Sequence, residues 1–230
     1  MTLLLMANQQ SRPLFRRALL QGCVQPAFPA DICSVDRAIE TRQRFEKLLG
    51  EDVRTAPWQR IVEVGASMRP PGVVMPPFEV VIGGPDIPVS PLDADLSDFD
   101  VLTGWTADEA CMWGKPPVNT LGFEEGTRSL AGRHAVAGHP AFVYRFDWQG
   151  PPPWFATHCI ELPFLFGNNA VWADSPILAD STEAERLPTV EAFQGAISGF
   201  VRAGDPGWQP YLPEHPVIHH FDRAPTSSTT

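Results

Sequence analysis

The sequence lacks the features that mark proteins of nucleic acids and membranes. No cluster of lysine and arginine exceeds Arg16 and Arg17, and the formal net charge is −10, so a surface that binds nucleic acid is not expected. The opening residues 1–10, MTLLLMANQQ, lack a basic segment and are too short for a secretion signal or a membrane span. We therefore expect a cytoplasmic protein with neither a nucleic acid nor a membrane as its partner.

The sequence also lacks the usual signatures of a metal or cofactor site. No C-x-x-C pair occurs among the cysteines, so neither a zinc knuckle nor a disulfide scaffold is indicated. The four cysteines are Cys23, Cys33, Cys111 and Cys159. His215, His219 and His220 have no carboxylate at a ligand-like offset. We expect no metal, no cofactor and a reducing compartment.

What remains is the composition of an ordinary globular protein. With 230 residues, of which 43% are hydrophobic, the chain can bury a real core. No internal repeat is visible. We predict one domain over residues 1–222 and a disordered tail over residues 223–230, where APTSSTT has nothing to bury.

Apolar patterning predicts helices separated by Pro- and Gly-rich loops. The clearest helix covers residues 35–49, where Ser34 can cap the start and Gly50 the end. Other helices are predicted at residues 2–10, 58–64, 126–137 and 189–203. Residues 14–21 fit a helix or a strand equally well, and residues 170–187 read as irregular.

Two apolar runs have the density of buried parallel strands, and polar groups follow both. Residues 99–105 lead into Asp108 and Glu109, and residues 141–148 lead through a Pro-rich loop to His158. Acids on such turns are often only helix caps, and a single histidine is often only packed or solvated. However, the carboxyl ends of parallel strands meet at one edge of a sheet, and a carboxylate there can orient an imidazole as a general base.

The residues around these groups resemble a known family. LFRRALLQ at residues 14–21 is similar to its FRRAILQSG run, and LTGWTADEA at residues 102–110 to its G-x-x-x-DEG acid loop. ATHCIELPFLFGN at residues 156–168 resembles its H-x-x-E-[LIV]-P-[FY]-x-FG loop, and FVRAGDP at residues 200–206 its FA-x-x-GDP helix end. The family is the type B carboxylesterases, and the chain resembles their C-terminal part.

The resemblance implies a fold and a pair of catalytic residues. Glu109 corresponds to the acid of a Ser-Glu-His triad and His158 to its base. Asp108 is not the triad acid, because the second acid of the family's pair is the catalytic one. Glu161 matches a position with a structural role. The fold implied is α/β, the C-terminal portion of an α/β-hydrolase. We expect its last three parallel strands with flanking helices, one sheet face and one long edge uncovered, and the N-terminal strands and nucleophile elbow absent.

Departures from the family pattern concern the nucleophile. No G-x-S-x-G occurs in the sequence: Ser67 and Ser198 lie in other contexts, and the oxyanion-hole glycines are missing. Ala110 replaces the glycine after the acid, and Phe155 stands where a glycine usually precedes the histidine by three. A base and its acid supply neither an attacking oxygen nor oxyanion donors. We therefore expect a carboxylic ester hydrolase, truncated or split, that is inactive until an N-terminal half complements it.

Other interpretations stay open. Folds of the cholinesterase type also serve as non-catalytic binding modules, and a fragment without activity would have the same sequence features. Cys111 and Cys159 lie close to the proposed pair, which raises a cysteine nucleophile as a further alternative, although such cysteines are more often apolar filler.

Overall fold

The protein is built around a four-stranded parallel sheet. The computed structural model describes residues 2–22, 32–69, 77–91, 93–118 and 120–223. The strand order is β1-β4-β5-β6, and every pair is parallel. The four strands are β1 (Arg17–Gln21), β4 (Asp100–Thr106), β5 (Ala141–Phe146) and β6 (His219–Phe221), while β2 (Ile32–Ser34) and β3 (Val80–Ile82) form a separate parallel pair.

The sheet corrects the expected number of strands. The predicted strands at residues 99–105 and 141–148 appear as β4 and β5, but the sheet has four strands where we expected three. The ambiguous residues 14–21 contain β1, in which Ala18 and Leu20 are buried and alternate with partly exposed side chains. The strand β6 was not predicted, since three residues are too few for periodicity to detect.

The helices are largely those that the sequence predicts. Among the described residues they are α1 (Thr2–Ala7), α2 (Val35–Leu49), α3 (Trp58–Ser67), α4 (Phe123–Val136), α5 (Leu162–Phe166), α6 (Asn169–Trp172) and α7 (Glu183–Ala203). For α2 the bounds agree with the prediction: the Ser34 hydroxyl accepts a hydrogen bond from the Arg37 N–H, and Gly50 adopts the left-handed conformation, φ 74°.

Helix α7 begins earlier than predicted. We expected a helix over residues 189–203 after an irregular segment, but α7 starts at Glu183. Thr182 and Glu185 form a capping box, in which each side chain hydrogen-bonds the backbone N–H of the other residue. The helix continues through Pro188, because the cap and the packing of α7 against the sheet outweigh the loss of one backbone hydrogen bond.

Both faces of the central strands are covered, so the expectation of one uncovered face is wrong. On one face Val101 and Val143 pack in a cluster that includes Met6 of α1 and Leu130 of α4. On the other face the cluster joins the following residues of β4, β5, α5 and α7: Leu102, Tyr144, Phe146, Phe164, Phe193 and Phe200. The uncovered element is an edge: among the described residues, β1 pairs with β4 alone.

The described residues hold neither a membrane-spanning helix nor a metal-binding cluster. In the part of the chain that the structure describes, no helix combines the length and the apolar character that crossing a membrane requires. The same described residues contain no group of three or more His, Cys, Asp or Glu that could hold a metal ion. Residues 224–230, which make up nearly all of the predicted tail, lie outside the described residues.

Candidate active site

The two proposed catalytic residues come from neighbouring strand ends. Glu109 follows β4 at the start of a 3-10 helix, Glu109–Trp113, and His158 lies in the loop after β5. Backbone hydrogen bonds join these segments: Ala107 N–H donates to Phe146 O at 2.9 Å, and Asp108 N–H to Ala156 O at 2.9 Å. The parallel pairing of β4 with β5 therefore places the acid-bearing turn directly against the histidine loop.

Glu109 and His158 are in direct contact. The Glu109 Oε2 lies 2.5 Å from the His158 Nδ1, and its Oε1 accepts a hydrogen bond from the Thr106 N–H at 2.8 Å. The Glu109 side chain is fully buried, whereas that of His158 is 24% exposed. Each carboxylate oxygen thus has a donor, which holds the carboxylate in place, while the imidazole reaches the surface.

Asp108, the neighbouring acid, binds backbone and not the histidine. Its Oδ1 accepts from the Val118 N–H at 2.6 Å, and its Oδ2 accepts from the Ala156 N–H at 3.1 Å and the Gln149 Nε2 at 3.2 Å. These bonds tie together the turn after β4 and the loop before His158. The geometry therefore gives Asp108 a structural task and makes Glu109 the partner of the imidazole.

Aromatic rings and a glycine surround the imidazole. The rings of Trp113 and Phe123 lie with their centroids 5.2 and 5.3 Å from that of His158. Gly22 follows β1 with φ +46°, and a Cβ on it would lie 3.1 Å from the His158 Cε1 and 3.2 Å from the Glu109 Oε1. Gly22 was not predicted as a site residue from the sequence, although a glycine directly after a strand end was a usable signal.

Two residues flanking His158 have backbone conformations that favour glycine. Phe155 has φ 50° and Cys159 has φ 70°. Phe155 is the departure from the family's glycine noted above, and it adopts a left-handed conformation that a glycine would take without strain. A left-handed non-glycine residue costs about 1–2 kcal/mol, so the loop stores strain on both sides of the imidazole.

Several ionisable side chains of the site shift one another's pKa. Burial lowers the pKa of His158, but hydrogen bonds of the imidazole to Cys159 and Glu109 and the charges of both outweigh it, so that the pKa is raised above its ordinary value. Burial, and after it the charge of Glu109, raise the pKa of Glu161 to about 7, against opposing effects of its own backbone N–H and of His158. Burial, then Asp108, raises the pKa of the Cys111 thiol, which disfavours a thiolate there.

The remaining sequence candidates are not brought to this site. Ser67 ends α3 and donates its hydroxyl to Val64 O at 2.7 Å, and Ser198 lies inside α7. Neither serine stands on a turn between a strand and a helix, the position from which a nucleophile meets a base. Cys23 lies outside the described residues.

Comparison with characterised proteins identifies hydrolases. No protein-family profile matches the chain. The chain is 26% identical to a probable N-octanoylanthranilate hydrolase of Rhodococcus erythropolis, over 91% of this chain and 54% of that protein. It is also 26% identical to the phenmedipham hydrolase of Pseudarthrobacter oxydans, over 93% of this chain and 54% of that protein. The chain therefore spans about half the length of these relatives.

Solved structures show the same fold. A carboxylesterase of Geobacillus stearothermophilus matches with a TM-score of 0.74 and 21% identity, over 96% of this chain and 57% of that one. A PNB esterase matches with a TM-score of 0.78 and 21% identity, over 96% and 56%. An esterase of Clostridium hathewayi matches with a TM-score of 0.66 and 18% identity, over 97% and 56%.

Fold and relatives together show what this chain is similar to. It has an α/β fold with a parallel sheet that corresponds to about half of a carboxylesterase α/β-hydrolase, and its relatives are hydrolases. Within that class the chain resembles the type B carboxylesterases, and the covered share is consistent with their C-terminal part. The family resemblance predicted from the sequence motifs is thereby confirmed.

Proposed function

We propose that the chain supplies the base and the orienting acid of a Ser-Glu-His triad in a carboxylic ester hydrolase. The observation that supports the proposal is the 2.5 Å contact between the Glu109 Oε2 and the His158 Nδ1. With Nδ1 hydrogen-bonded to the carboxylate, Nε2 is the nitrogen that accepts a proton from a nucleophile. The carboxylate then stabilises the imidazolium that forms, and His158 returns the proton to the leaving group.

On this proposal the attacking alcohol comes from outside the present sequence. No G-x-S-x-G occurs in the 230 residues. Ser67 ends helix α3 and Ser198 lies inside helix α7, so neither stands on a nucleophile elbow. Without a nucleophile and oxyanion donors, the chain alone hydrolyses esters at close to the background rate.

The partner proposed is an N-terminal half of the same type of enzyme, docked at β1. The outer edge of β1 has no strand beside it among the described residues, and an unpaired edge is a template for a further strand. A strand added in parallel would end about 5 Å from Gly22, since neighbouring strands lie about 4.8 Å apart. Gly22 has no side chain, so space next to the His158 ring stays open for a group that follows that strand.

The test is complementation. The chain is produced together with an N-terminal half that carries G-x-S-x-G, and the purified pair is assayed on para-nitrophenyl esters and on N-octanoylanthranilate, the compound named for one relative. We expect activity in the pair, none in either half, and none when the elbow serine is replaced by alanine. A folded, assembled pair without activity on any of these compounds contradicts the proposal.

The pH profile provides a second check. Because the pKa of His158 is raised, a larger share of the imidazole is protonated at neutral pH than in a free histidine. Only the neutral imidazole accepts a proton, so kcat/KM of the pair is expected to rise with pH above neutrality. A profile that is already flat at pH 6 would show that His158 is not the titrating base.

A further inference from the structure

Asp108 is a buried acid that the proposed proton transfer does not use. Only 6% of it is exposed, and it lies directly before Glu109 on the turn after β4. Three N–H donors among the described residues contact its two carboxylate oxygens, those of Val118, Ala156 and Gln149. A carboxylate can accept from all three, whereas a side-chain amide has only one oxygen to accept with. The donors therefore explain why an acid, and not an amide, stands at this position.

One oxygen of Asp108 holds the loop that carries His158. Its Oδ2 accepts from the Ala156 N–H at 3.1 Å, and the Asp108 N–H donates to the Ala156 O at 2.9 Å. Ala156 is fully buried and lies two residues before His158. Asp108 thus binds both backbone polar groups of Ala156, and this fixes the start of the histidine loop against the turn that carries Glu109.

The other oxygen holds the segment that follows Trp113. The Asp108 Oδ1 accepts from the Val118 N–H at 2.6 Å. Val118 has φ 67°, a left-handed conformation that is rare for a β-branched residue, and it is 79% exposed, so packing does little to hold it. A strained conformation persists where neighbouring contacts enforce it, and the short bond to Asp108 is such a contact. Because the Trp113 ring lies 5.2 Å from that of His158, this bond anchors the segment that places Trp113 beside the imidazole.

We propose that Asp108 is a positioning residue for the base of the proposed triad. Its two oxygens hold the two segments that flank the His158 ring, one oxygen for each segment, and so keep the imidazole aligned with Glu109. The 2.5 Å contact between the Glu109 Oε2 and the His158 Nδ1 depends on this, since the turn carries Glu109 and the loop carries His158. The catalytic meaning of this role rests on the proposed function, which it deepens, whereas the alignment can be measured in this chain alone.

The experiment compares wild type with Asp108→Asn by NMR of the intact chain. Asparagine keeps the size of the side chain but offers one acceptor oxygen, which should face the two donors of Ala156 and Gln149. Its NH₂ group then faces the Val118 N–H, and that hydrogen bond is lost. The His158 Nδ1 proton, assigned by its absence in His158→Asn, should exchange with water roughly tenfold faster, because the ring leaves Glu109 more often.

Two further variants separate this effect from a general loss of stability. Asp147→Asn makes the same change directly after β5, where Asp147 pairs with Arg145 and His220, so the His158 exchange rate should stay at its wild-type value. Val118→Gly, added to Asp108→Asn, should return the exchange most of the way to the wild-type rate, since glycine adopts φ 67° without strain.

An unchanged His158 exchange rate in Asp108→Asn overturns the proposal. So does an equal acceleration in Asp147→Asn, or a double variant that exchanges as fast as Asp108→Asn. If Asp108→Asn does not fold, the wild-type chain decides: the Val118 N–H should be protected from exchange although the residue is exposed, and urea should remove its protection together with that of the His158 Nδ1 proton. An unprotected Val118 N–H would then overturn the proposal.

The complemented enzyme tests the catalytic meaning. Asp108→Asn should lower kcat roughly tenfold and leave KM nearly unchanged, because alignment of the base affects the chemical step more than the binding of the ester. An equal kcat in wild type and Asp108→Asn would contradict a role for Asp108 in catalysis. Failed complementation by the wild-type halves, together with a positive exchange result, would refute the proposed function and leave the alignment role standing.

Discussion

The strand ends around His158 and the α2–α3 pair are held together by different means. At the strand ends the contacts join residues far apart in sequence, such as Glu109 with His158, and they are buried. The α2–α3 pair has a small core of Phe45, Leu49, Val64 and Met68, and within each helix it carries a local, exposed ion pair, Arg42–Glu46 and Arg60–Glu63. Local sequence pattern therefore specifies the α2–α3 pair, whereas tertiary contacts specify the strand ends around His158.

The largest expected effect of breaking a contact lies at the site. In the complemented enzyme, Glu109→Gln removes the negative charge that orients and stabilises the imidazolium, so kcat should fall about 10³–10⁴-fold. Steady-state kinetics with a para-nitrophenyl ester measures the loss, and Glu183→Gln is the exposed control, expected to keep wild-type kcat. A Glu109→Gln enzyme with more than a tenth of wild-type kcat would remove Glu109 from the triad.

The second prediction concerns Phe→Ala substitutions, one in the core of the central sheet and one in the α2–α3 core. Phe193 is fully buried between Tyr144, Phe146 and Phe221, with ring centroids 5.4, 5.2 and 4.8 Å away. Phe193→Ala should cost about 3–5 kcal/mol of unfolding free energy, because neighbours on three sides lose their contacts. Chemical denaturation, followed by tryptophan fluorescence, measures the change.

Phe45→Ala in the α2 core is the matched variant. Phe45 has a T-shaped contact with Phe78 at 5.3 Å and borders an open cavity of about 800 Å³, so fewer contacts are lost. We expect Phe45→Ala to cost about 2 kcal/mol of unfolding free energy. Faster hydrogen exchange should be confined to α2 and α3. Equal costs for Phe45→Ala and Phe193→Ala would show that the open cavity beside Phe45 does not reduce the contacts it loses. Faster exchange in the central sheet as well would show that the two regions open as one unit.

The third prediction concerns stability against pH. The pKa of Glu161 is raised to about 7 in the folded chain, so its contribution to stability is present below the ordinary value of 4.5 and is lost as the pH rises through 7. Between pH 5 and pH 8 the free energy of unfolding of the wild-type chain should therefore fall by up to about 3 kcal/mol relative to that of Glu161→Gln. Denaturation midpoints of both chains across this range test the sign, and a constant difference between them would contradict it.

The sequence predicted most where the signal was local. Ser34 and Gly50 bound α2 as expected, because an N-cap and a left-handed C-cap act within one turn. The contact between Glu109 and His158 was also expected, since both groups follow strands that were recognised. Their catalytic role stays a prediction, as does the N-terminal partner.

The sequence could not predict what depends on packing. The start of α7 was placed too late, because Pro188 reads as a helix breaker unless the sheet beneath the helix is known. The strand β1 was ambiguous until its pairing with β4 decided it. The burial of Glu161 and its unsatisfied Oε2 were not predicted, since both are properties of the folded environment and leave no trace in the residue order.

The smallest expected effect comes from replacing one glycine with alanine in each region, Gly22 beside His158 and Gly50 at the end of α2. Gly22 and Gly50 both have positive φ, +46° and +74°, so alanine at either costs about 1 kcal/mol in backbone strain. At Gly50 a Cβ meets nothing within 4 Å, whereas at Gly22 it meets the His158 Cε1 at 3.1 Å. We therefore expect Gly22→Ala to cost about 2 kcal/mol and to shift the His158 ring signals, while Gly50→Ala costs about 1 kcal/mol and shifts none. If both alanine variants lose the same stability and the His158 signals do not shift, the loop around His158 can move to accommodate the added methyl group. Close packing at the site is then not what holds the imidazole against Glu109.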